Sequence, residues 1–418
     1  MYILKFGGTS VAGAAQIAAV ADIVAQAAAT TPVLVVVSAF RGVTDMLLHM
    51  ARSAATGQDW QSLWQQVADR HRQTAEELSL GPCTELEELL EDLHRFCTGI
   101  ALLGECTTRM LDHVAAYGEL LSSRLLVAHC THRGEDAIWH DVRSVIITDA
   151  SFTSAAVDWE RTIAAARAHL QPLLATHRIV VTQGFIGSTP TGTTTTLGRG
   201  GSDYSAAILG ACLHADRIEI WTDVSGIFSA DPRRIPDAQS LPTVTLGEVA
   251  ALAAYGARVL HPRTIEPAIE QAIPVVVRNT FEPTHPGTEI VPELPSPIGG
   301  IRAITMLDAY ASTQPAAGHC QGLLAAVELQ GYTRHLYREC FDERAQPVTL
   351  VCCVGAWLHH RGTALQQIAE ATCSLGCTVD VVASTPQSIL FTVDRSVGQQ
   401  MLEALHQKIV TVSVEAIP

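Results

Sequence analysis

Positive charge is scarce in this sequence and nowhere concentrated: 27 lysines and arginines stand against 42 aspartates and glutamates, a formal net charge of −15. Nucleic acid and anionic membrane surfaces are therefore poor partners. A site for a negatively charged ligand has to be built from isolated cations, which draws attention to Lys5 and Arg199. No uninterrupted apolar run approaches the roughly 20 residues of a membrane span. The opening Met1-Tyr2-Ile3-Leu4-Lys5-Phe6-Gly7 has no long apolar signal-peptide core, so a soluble, cytoplasmic protein is expected. The 11 cysteines include no CxxC, and neither the Cys352-Cys353 pair nor Cys373-x3-Cys377 has a matching second half for zinc. They read as buried apolar residues in a reducing compartment. The 17 histidines form no HExxH and no ligand-spaced set, so no protein-bound metal site is assigned.

What is present fits a well-packed globular protein, 48% hydrophobic and 17% charged, and 418 residues suggest two or three domains. The chain reads as alternating strands and helices. Residues 2–6 form a short strand that runs into Gly7-Gly8-Thr9-Ser10, and a helix follows. Strand, glycine loop and helix suit an anion, because loop N–H groups and the helix start face it together. The lysine precedes the glycines, so this is not a Walker A motif. Residues 32–39 are an apolar, β-branched run with the pattern of a buried parallel strand, ending in Ser38 and the polar turn Arg41-Gly42-Val43-Thr44-Asp45. Ligands gather outside the carboxyl ends of such strands, which gives Ser38 and Thr44 a functional reading beside their ordinary one as turn formers.

A helical, acidic stretch over 60–100 is scaffold with a solvated face. Glu119 sits beside Gly118 in a further apolar helix, and spacing alone leaves it as a surface residue. The stretch from Thr193 to Ser205 is richer. Three glycines around Arg199 (Gly198, Gly200 and Gly201) permit positive φ and close ligand approach. Arg199 suits bidentate capture of a carboxylate or phosphate. Ser202 and Asp203 are equally readable as N-caps of a helix over 204–213. Further on come a strand ending in Thr222-Asp223, a turn with Asp231 and Arg233, a capping box from Thr245 to Glu248, and a last strand over 273–278. Five prolines within 282–298 mark a linker or domain edge. The remainder reads as strand 348–354, helix 362–374, strands 378–382 and 389–393, helix 397–406 and strand 408–414, a ferredoxin-like order.

Taken in order, Lys5-Phe6-Gly7-Gly8-Thr9-Ser10, Val37-Ser38-Ala39, Gly42-Val43-Thr44-Asp45, Gly118-Glu119-Leu120, Thr182-Gln183-Gly184-Phe185, Leu197-Gly198-Arg199-Gly200-Gly201-Ser202-Asp203, Trp221-Thr222-Asp223, Asp231-Pro232-Arg233 and Pro286-Gly287-Thr288 closely resemble the aspartokinases, members of the amino-acid kinase family. The resemblance implies an α/β fold, a mostly parallel sheet sandwiched by helices over 1–292, followed by a smaller α+β ferredoxin-like region over 299–418. It implies ATP-dependent phosphorylation of the side-chain carboxylate of L-aspartate to 4-phospho-L-aspartate, the first step toward lysine, threonine and methionine. Lys5 and Asp203 would be catalytic. Ser38, Thr44, Glu119, Arg199 and Ser202 would bind the amino acid, Arg199 its α-carboxylate and Glu119 its ammonium. Lys5, Gly7, Gly8, Ser10, Thr222, Asp223, Phe228, Asp231, Arg233 and Arg258 would serve ATP, with Mg2+ held mainly by phosphates and water. Phe228 stands where the family often has tyrosine, and Arg258 where a lysine is usual.

The C-terminal region resembles tandem ACT modules, which bind amino-acid effectors. A shortened first module would comprise 301–345 plus a returned strand within 408–418, with 322–327 as its helix, and a second would span 346–407. A homodimer or higher homo-oligomer is expected. Two alternatives stay open at this point: a kinase for another amino acid in a specialised pathway, and a catalytically silent amino-acid sensor.

Overall fold

The computed structural model describes residues 1–257, 260–294, 300–312, 320–329, 332–340, 345–356, 358 and 362–415. The chain forms two compact units, each assembled from two pieces: Met1–Ser225 with Arg263–Glu289, and Gly226–Pro262 with Ile290–Pro418.

The first unit is an α/β layer structure around a parallel sheet. Its strands, in spatial order, are Ala137–Trp139, Ile179–Gln183, Val33–Val37, Tyr2–Phe6, Arg217–Thr222 and Val275–Asn279. Val33–Val37 is buried at every position, as a strand covered on both faces requires. Lys5 is the one charged residue of the sheet's central strand, buried there and paired in register with Val36 on one side and Ile220 on the other. Phe6 is level with Val37 and Trp221, and Val37 with Gln183. The residues that follow these strands therefore emerge together at one edge: Gly7-Gly8, Ser38-Ala39 and Gly184-Phe185. An antiparallel hairpin, Ile186–Ser188 with Thr194–Thr196, carries the chain into the Gly201–Leu213 helix. The acidic stretch over 60–100 is two helices, Gln61–Glu77 and Thr84–Leu103.

The second unit contains an antiparallel sheet in the order Cys320–Leu329, Tyr332–Cys340, Ala303–Ser312, Gln346–Val354, Ser388–Asp394 and Asp380–Ser384. Helices Gly362–Leu375 and Gly398–Glu415 accompany it. Their buried residues, among them Ile368, Met401 and Leu405, pack with Val351 and Phe391 of the sheet. The capping box read from the sequence is present, with Thr245 accepting from the Glu248 N–H and Glu248 accepting from the Thr245 N–H.

Two sequence expectations are corrected here. Residues 408–414 are not a strand; they continue the Gly398–Glu415 helix. The β-branched run suggests a strand, but Met401, Leu402, Leu405, His406 and Ile409 are buried at helical spacing, and the shared stripe outweighs a weak strand preference. Residues 322–327 are not a helix; they lie inside strand Cys320–Leu329, which pairs with Tyr332–Cys340 from Leu329↔Tyr332 to Cys320↔Cys340. Helix propensity in Leu-Leu-Ala-Ala is only a weak prior against that ladder.

Candidate active site

At the carboxyl edge of the parallel sheet the first unit opens a cavity of about 360 Å³. Of the residues singled out from sequence, Lys5, Gly8, Ser38, Thr44, Glu119, Arg199, Ser202 and Asp203 line it. They arrive from four separate stretches of chain.

Lys5 is 8% exposed, and its ammonium lies 2.6 Å from Asp203 Oδ1. A charge in a buried strand needs such a partner. Gly8 brings the phosphate-type loop against the turn after the next strand: a Cβ at Gly8 would lie 2.8 Å from the Ala39 carbonyl oxygen. Gly7 donates its N–H to the Trp221 carbonyl at 3.0 Å. Ser10 is fully buried, its hydroxyl 2.7 Å from that of Thr280. Gly7 and Ser10 thus shape the loop, and Gly8 is the loop glycine that reaches the cavity.

Glu119 is buried, and burial pushes its carboxyl up to about 8, against the lowering influence of the Ala39 N–H and Lys5. Its Oε1 accepts from Ala39 N–H at 3.1 Å, while Oε2 is buried with no hydrogen-bond partner. The surface reading of Glu119 that spacing favoured is corrected: the helix carrying it packs on the turn through Ser38 and Ala39. Gly118 permits that approach, since a Cβ there would come within 2.6 Å of Ala39 Cβ. Ser122 on the same helix donates to the Ser38 carbonyl at 2.8 Å. An unpartnered buried carboxylate oxygen in a cavity is an invitation to a cation.

The Gly198–Gly201 turn is built as its composition suggests. Gly198 and Gly200 have φ of +78° and +72°, conformations that favour glycine. The cap reading of Ser202 and Asp203 is corrected. The helix starts at Gly201, with Gly200 as N-cap, so both residues lie within the first turn. Asp203 gains from the helix's positive end there and is free to pair with Lys5. Thr44 likewise lies in the first turn of a helix, Val43–Ala55, capped by left-handed Gly42, and not in a free turn.

Several cavity residues carried no sequence assignment: Phe40, Arg41, Asp45 and Phe185. Phe185 holds φ +68°, fixed by the Ser205 hydroxyl, which accepts from its N–H at 2.9 Å. Asp112 lies outside the cavity but accepts from Thr153 N–H and from both Thr196 N–H and hydroxyl, anchoring the hairpin that leads to Arg199. A lone acid in an amphipathic helix gives no sequence signal for that role.

Of the other residues that the resemblance assigns to ATP, Thr222, Asp223, Phe228, Asp231 and Arg233 are not among those lining this cavity. Thr222 ends the strand beside that of Lys5, with its hydroxyl 3.3 Å from Asp223 Oδ1. Phe228, Asp231 and Arg233 belong to the second unit, where Asp231 and Arg233 pair at 2.6 Å and the Arg233 hydrogen bond holds the Asp231 carboxyl below its usual range. Arg258 lies outside the described residues. Among the described residues no group of three His, Cys, Asp or Glu side chains could enclose a metal ion. The cavity's carboxylates are Asp45, Glu119 and Asp203. Such a donor set forms no protein-built cage, so a Mg2+ ion in this cavity would have to be held mainly by a ligand's own oxygens and by water. No helix among the described residues is long and apolar enough to cross a membrane.

The sequence pattern described as the amino acid kinase family matches residues 1–279. Lysine-sensitive aspartokinase 3 of Escherichia coli (strain K12) is 39% identical over 299 residues, which are 71% of this chain and 65% of that protein. The chloroplastic bifunctional aspartokinase/homoserine dehydrogenase 2 of Arabidopsis thaliana is 38% identical over 294 residues, 68% of this chain and 32% of that protein. The match thus spans from 32% to 65% of these relatives' own lengths. Among solved structures, E. coli aspartokinase III in complex with lysine and aspartate (T-state) aligns with a TM-score of 0.84 at 28% identity, over 98% of this chain and 99% of that one. The same enzyme in complex with aspartate and ADP (R-state) aligns with a TM-score of 0.79 at 28% identity, over 98% and 100%.

Proposed function

Because the chain belongs to the amino acid kinase family, we propose that it is an aspartate kinase, which moves the γ-phosphoryl group of ATP to the side-chain carboxylate of L-aspartate and releases ADP and 4-phospho-L-aspartate. The observation that carries the reading is the pairing of opposite recognitions in one cavity: the buried, half-satisfied Glu119 for an ammonium and Arg199 for a carboxylate, beside the Lys5–Asp203 ion pair. An α-amino acid presents that ammonium and carboxylate on one carbon. Similarity to aspartokinases supports L-aspartate as the acceptor.

Phosphoryl transfer demands placement and neutralisation of spreading charge more than covalent help. Arg199 grips the α-carboxylate as a fork, Glu119 receives the α-ammonium, and Ser38, Thr44 and Ser202 complete the pocket. These contacts direct the β-carboxylate toward Lys5. Lys5 bridges the β- and γ-phosphates, and Asp203 fixes the direction of its ammonium. Gly8 lets the backbone approach. Mg2+, when bound with ATP, supplies further neutralisation of phosphate charge. Thr222 and Asp223, at the end of the strand beside that of Lys5, complete the reading as nucleotide contacts.

The same reading takes 1–292 as the catalytic domain and 299–418 as an ACT-type regulatory and dimerisation region of a cytoplasmic homo-oligomer. The antiparallel sheet with two helices supports the latter. A neighbouring structure holds lysine, which makes an amino-acid effector a reasonable ligand for that region. The step would open lysine, threonine and methionine synthesis. The test is ATP- and Mg2+-dependent acyl phosphate formation, trapped with hydroxylamine, over a panel of amino acids. Turnover of another amino acid and not aspartate would sink the substrate assignment, and no turnover of any would sink the kinase reading. Adding lysine, threonine or methionine to the same assay tests the effector.

A further inference from the structure

Two stretches of backbone meet at the reacting end of the cavity, the loop through Gly8 and the turn through Ala39, Phe40 and Arg41. One hydrogen bond joins them directly, from the Arg41 N–H to the Gly8 carbonyl at 3.0 Å. A second tie comes from outside. Arg70, on the Gln61–Glu77 helix, donates through Nη1 to the Arg41 carbonyl at 2.8 Å and through Nη2 to the Ala12 carbonyl at 2.9 Å. Its guanidinium lies 5.4 Å from the centroid of the Phe40 ring. The next residue of the helix, buried His71, stacks on that ring at 4.5 Å and bonds to its own helix at the Val67 carbonyl. A helix that contributes nothing to the cavity lining thus holds both loops that do.

We propose that Arg70 is a positioning residue for phosphoryl transfer: one guanidinium fixes the end of the Lys5 loop, through Ala12, relative to the turn that carries Ser38 and Arg41. The inference rests on the kinase reading of the cavity. The planar fork of arginine reaches two carbonyls at a set angle, which a lysine ammonium on a flexible stem does not reproduce. Misplacing reacting groups by about 1 Å costs on the order of 10² in rate, and Arg70 sets the spacing between the phosphate side and the acceptor side.

The experiment compares the full chain with its Arg70→Ala and Arg70→Lys forms. Hydrogen exchange of segments 7–12 and 38–43 is followed without substrates, together with the thermal midpoint and hydroxamate-trapped kinetics. In Arg70→Ala, exchange in both segments is expected to quicken by about tenfold, as local opening becomes easier. Its kcat should fall roughly 30- to 100-fold while KM for aspartate changes less than about threefold. Arg70→Lys should recover part of the kcat, and carries the test alone if the alanine form does not fold. Parent-like exchange and kcat would overturn the proposal. So would a lower midpoint with parent-like kcat and KM, the mark of a merely structural arginine. If the parent turns over no amino acid, the kinase reading fails by itself, and the exchange comparison still decides whether Arg70 ties the two loops.

Discussion

Glu119 Oε1 accepts a hydrogen bond from the backbone N–H of Ala39 at 3.1 Å, and its second oxygen is buried without a partner. Burial lifts this carboxyl from its ordinary 4.5 to about 8, so the free enzyme holds it protonated at neutral pH. An ammonium is best received by the ionised form. kcat/KM for aspartate is therefore expected to climb about tenfold per pH unit below about 8 and to flatten above it. Glu119→Gln should abolish the climb and lower kcat/KM by about 2–5 kcal/mol in transition-state binding. The stability sign runs the other way. The folded pKa lies above the unfolded one, so the group's contribution is full below about 4.5 and is lost as pH rises through about 8. Glu119→Gln should then resist urea better than the parent at pH 9. A flat pH profile in the parent between 6.5 and 8 would remove Glu119 from the ammonium site.

Asp203 faces Lys5 across 2.6 Å. Asp203→Asn keeps the shape and removes the charge that directs the lysine. Turnover should drop by about 10²- to 10³-fold, the scale of losing one aligned electrostatic group, with little change in KM for aspartate. Circular dichroism should show the helix content intact. An Asn form that turns over like the parent would leave Asp203 as an ordinary first-turn residue of its helix.

Much of this arrangement is legible in the sequence because buried parallel strands and the glycines after them are local patterns. Lys5 and Ser38 sit where such strands end, and register brings those ends together, while Arg199 and Asp203 follow the antiparallel hairpin at a glycine turn that opens a helix. What the sequence hides depends on distant partners. Ser202 and Asp203 look like caps because cap preference is local, whereas Gly200 takes that position. Ser10 looks available until Thr280, 270 residues away, is placed against it. Glu119 looks exposed until Gly118 meets Ala39. Arg70 and Asp112 give no signal, since nothing nearby in sequence records which carbonyls or N–H groups they reach. The 408–414 run misleads for a related reason: strand propensity is read locally, but the buried stripe belongs to a helix that began at Gly398.

Arg199 is exposed and flanked by two left-handed glycines, so its reach is set by the turn and not by packing. Arg199→Lys retains the charge and loses the two-pronged contact with a carboxylate. A fall in kcat/KM for aspartate of about 10- to 100-fold is expected, from a lost charge-assisted bond of about 1.5–3 kcal/mol. KM for ATP should hardly move. Equal losses for both substrates would place Arg199 on the nucleotide instead of the amino acid.

Gly118 offers the sharpest test of how packing feeds the site. A methyl group there would lie 2.6 Å from Ala39 Cβ, closer than two carbons can rest, so in Gly118→Ala the helix or the turn has to give way. Either movement separates the helix from the turn and should lengthen the Ala39–Glu119 hydrogen bond. Overpacking should cost about 1–3 kcal/mol, against about 1 kcal/mol gained from replacing a helical glycine. The thermal midpoint should therefore change little or fall by a few degrees, while KM for aspartate rises severalfold. Gly99→Ala is the control, because a Cβ there meets nothing within 4 Å and only the helix gain remains. That variant should be more stable than the parent with unchanged kinetics. If Gly118→Ala also gained stability and kept its KM, the close approach would be irrelevant to Glu119, and the ammonium pocket would have to be sought elsewhere along the cavity.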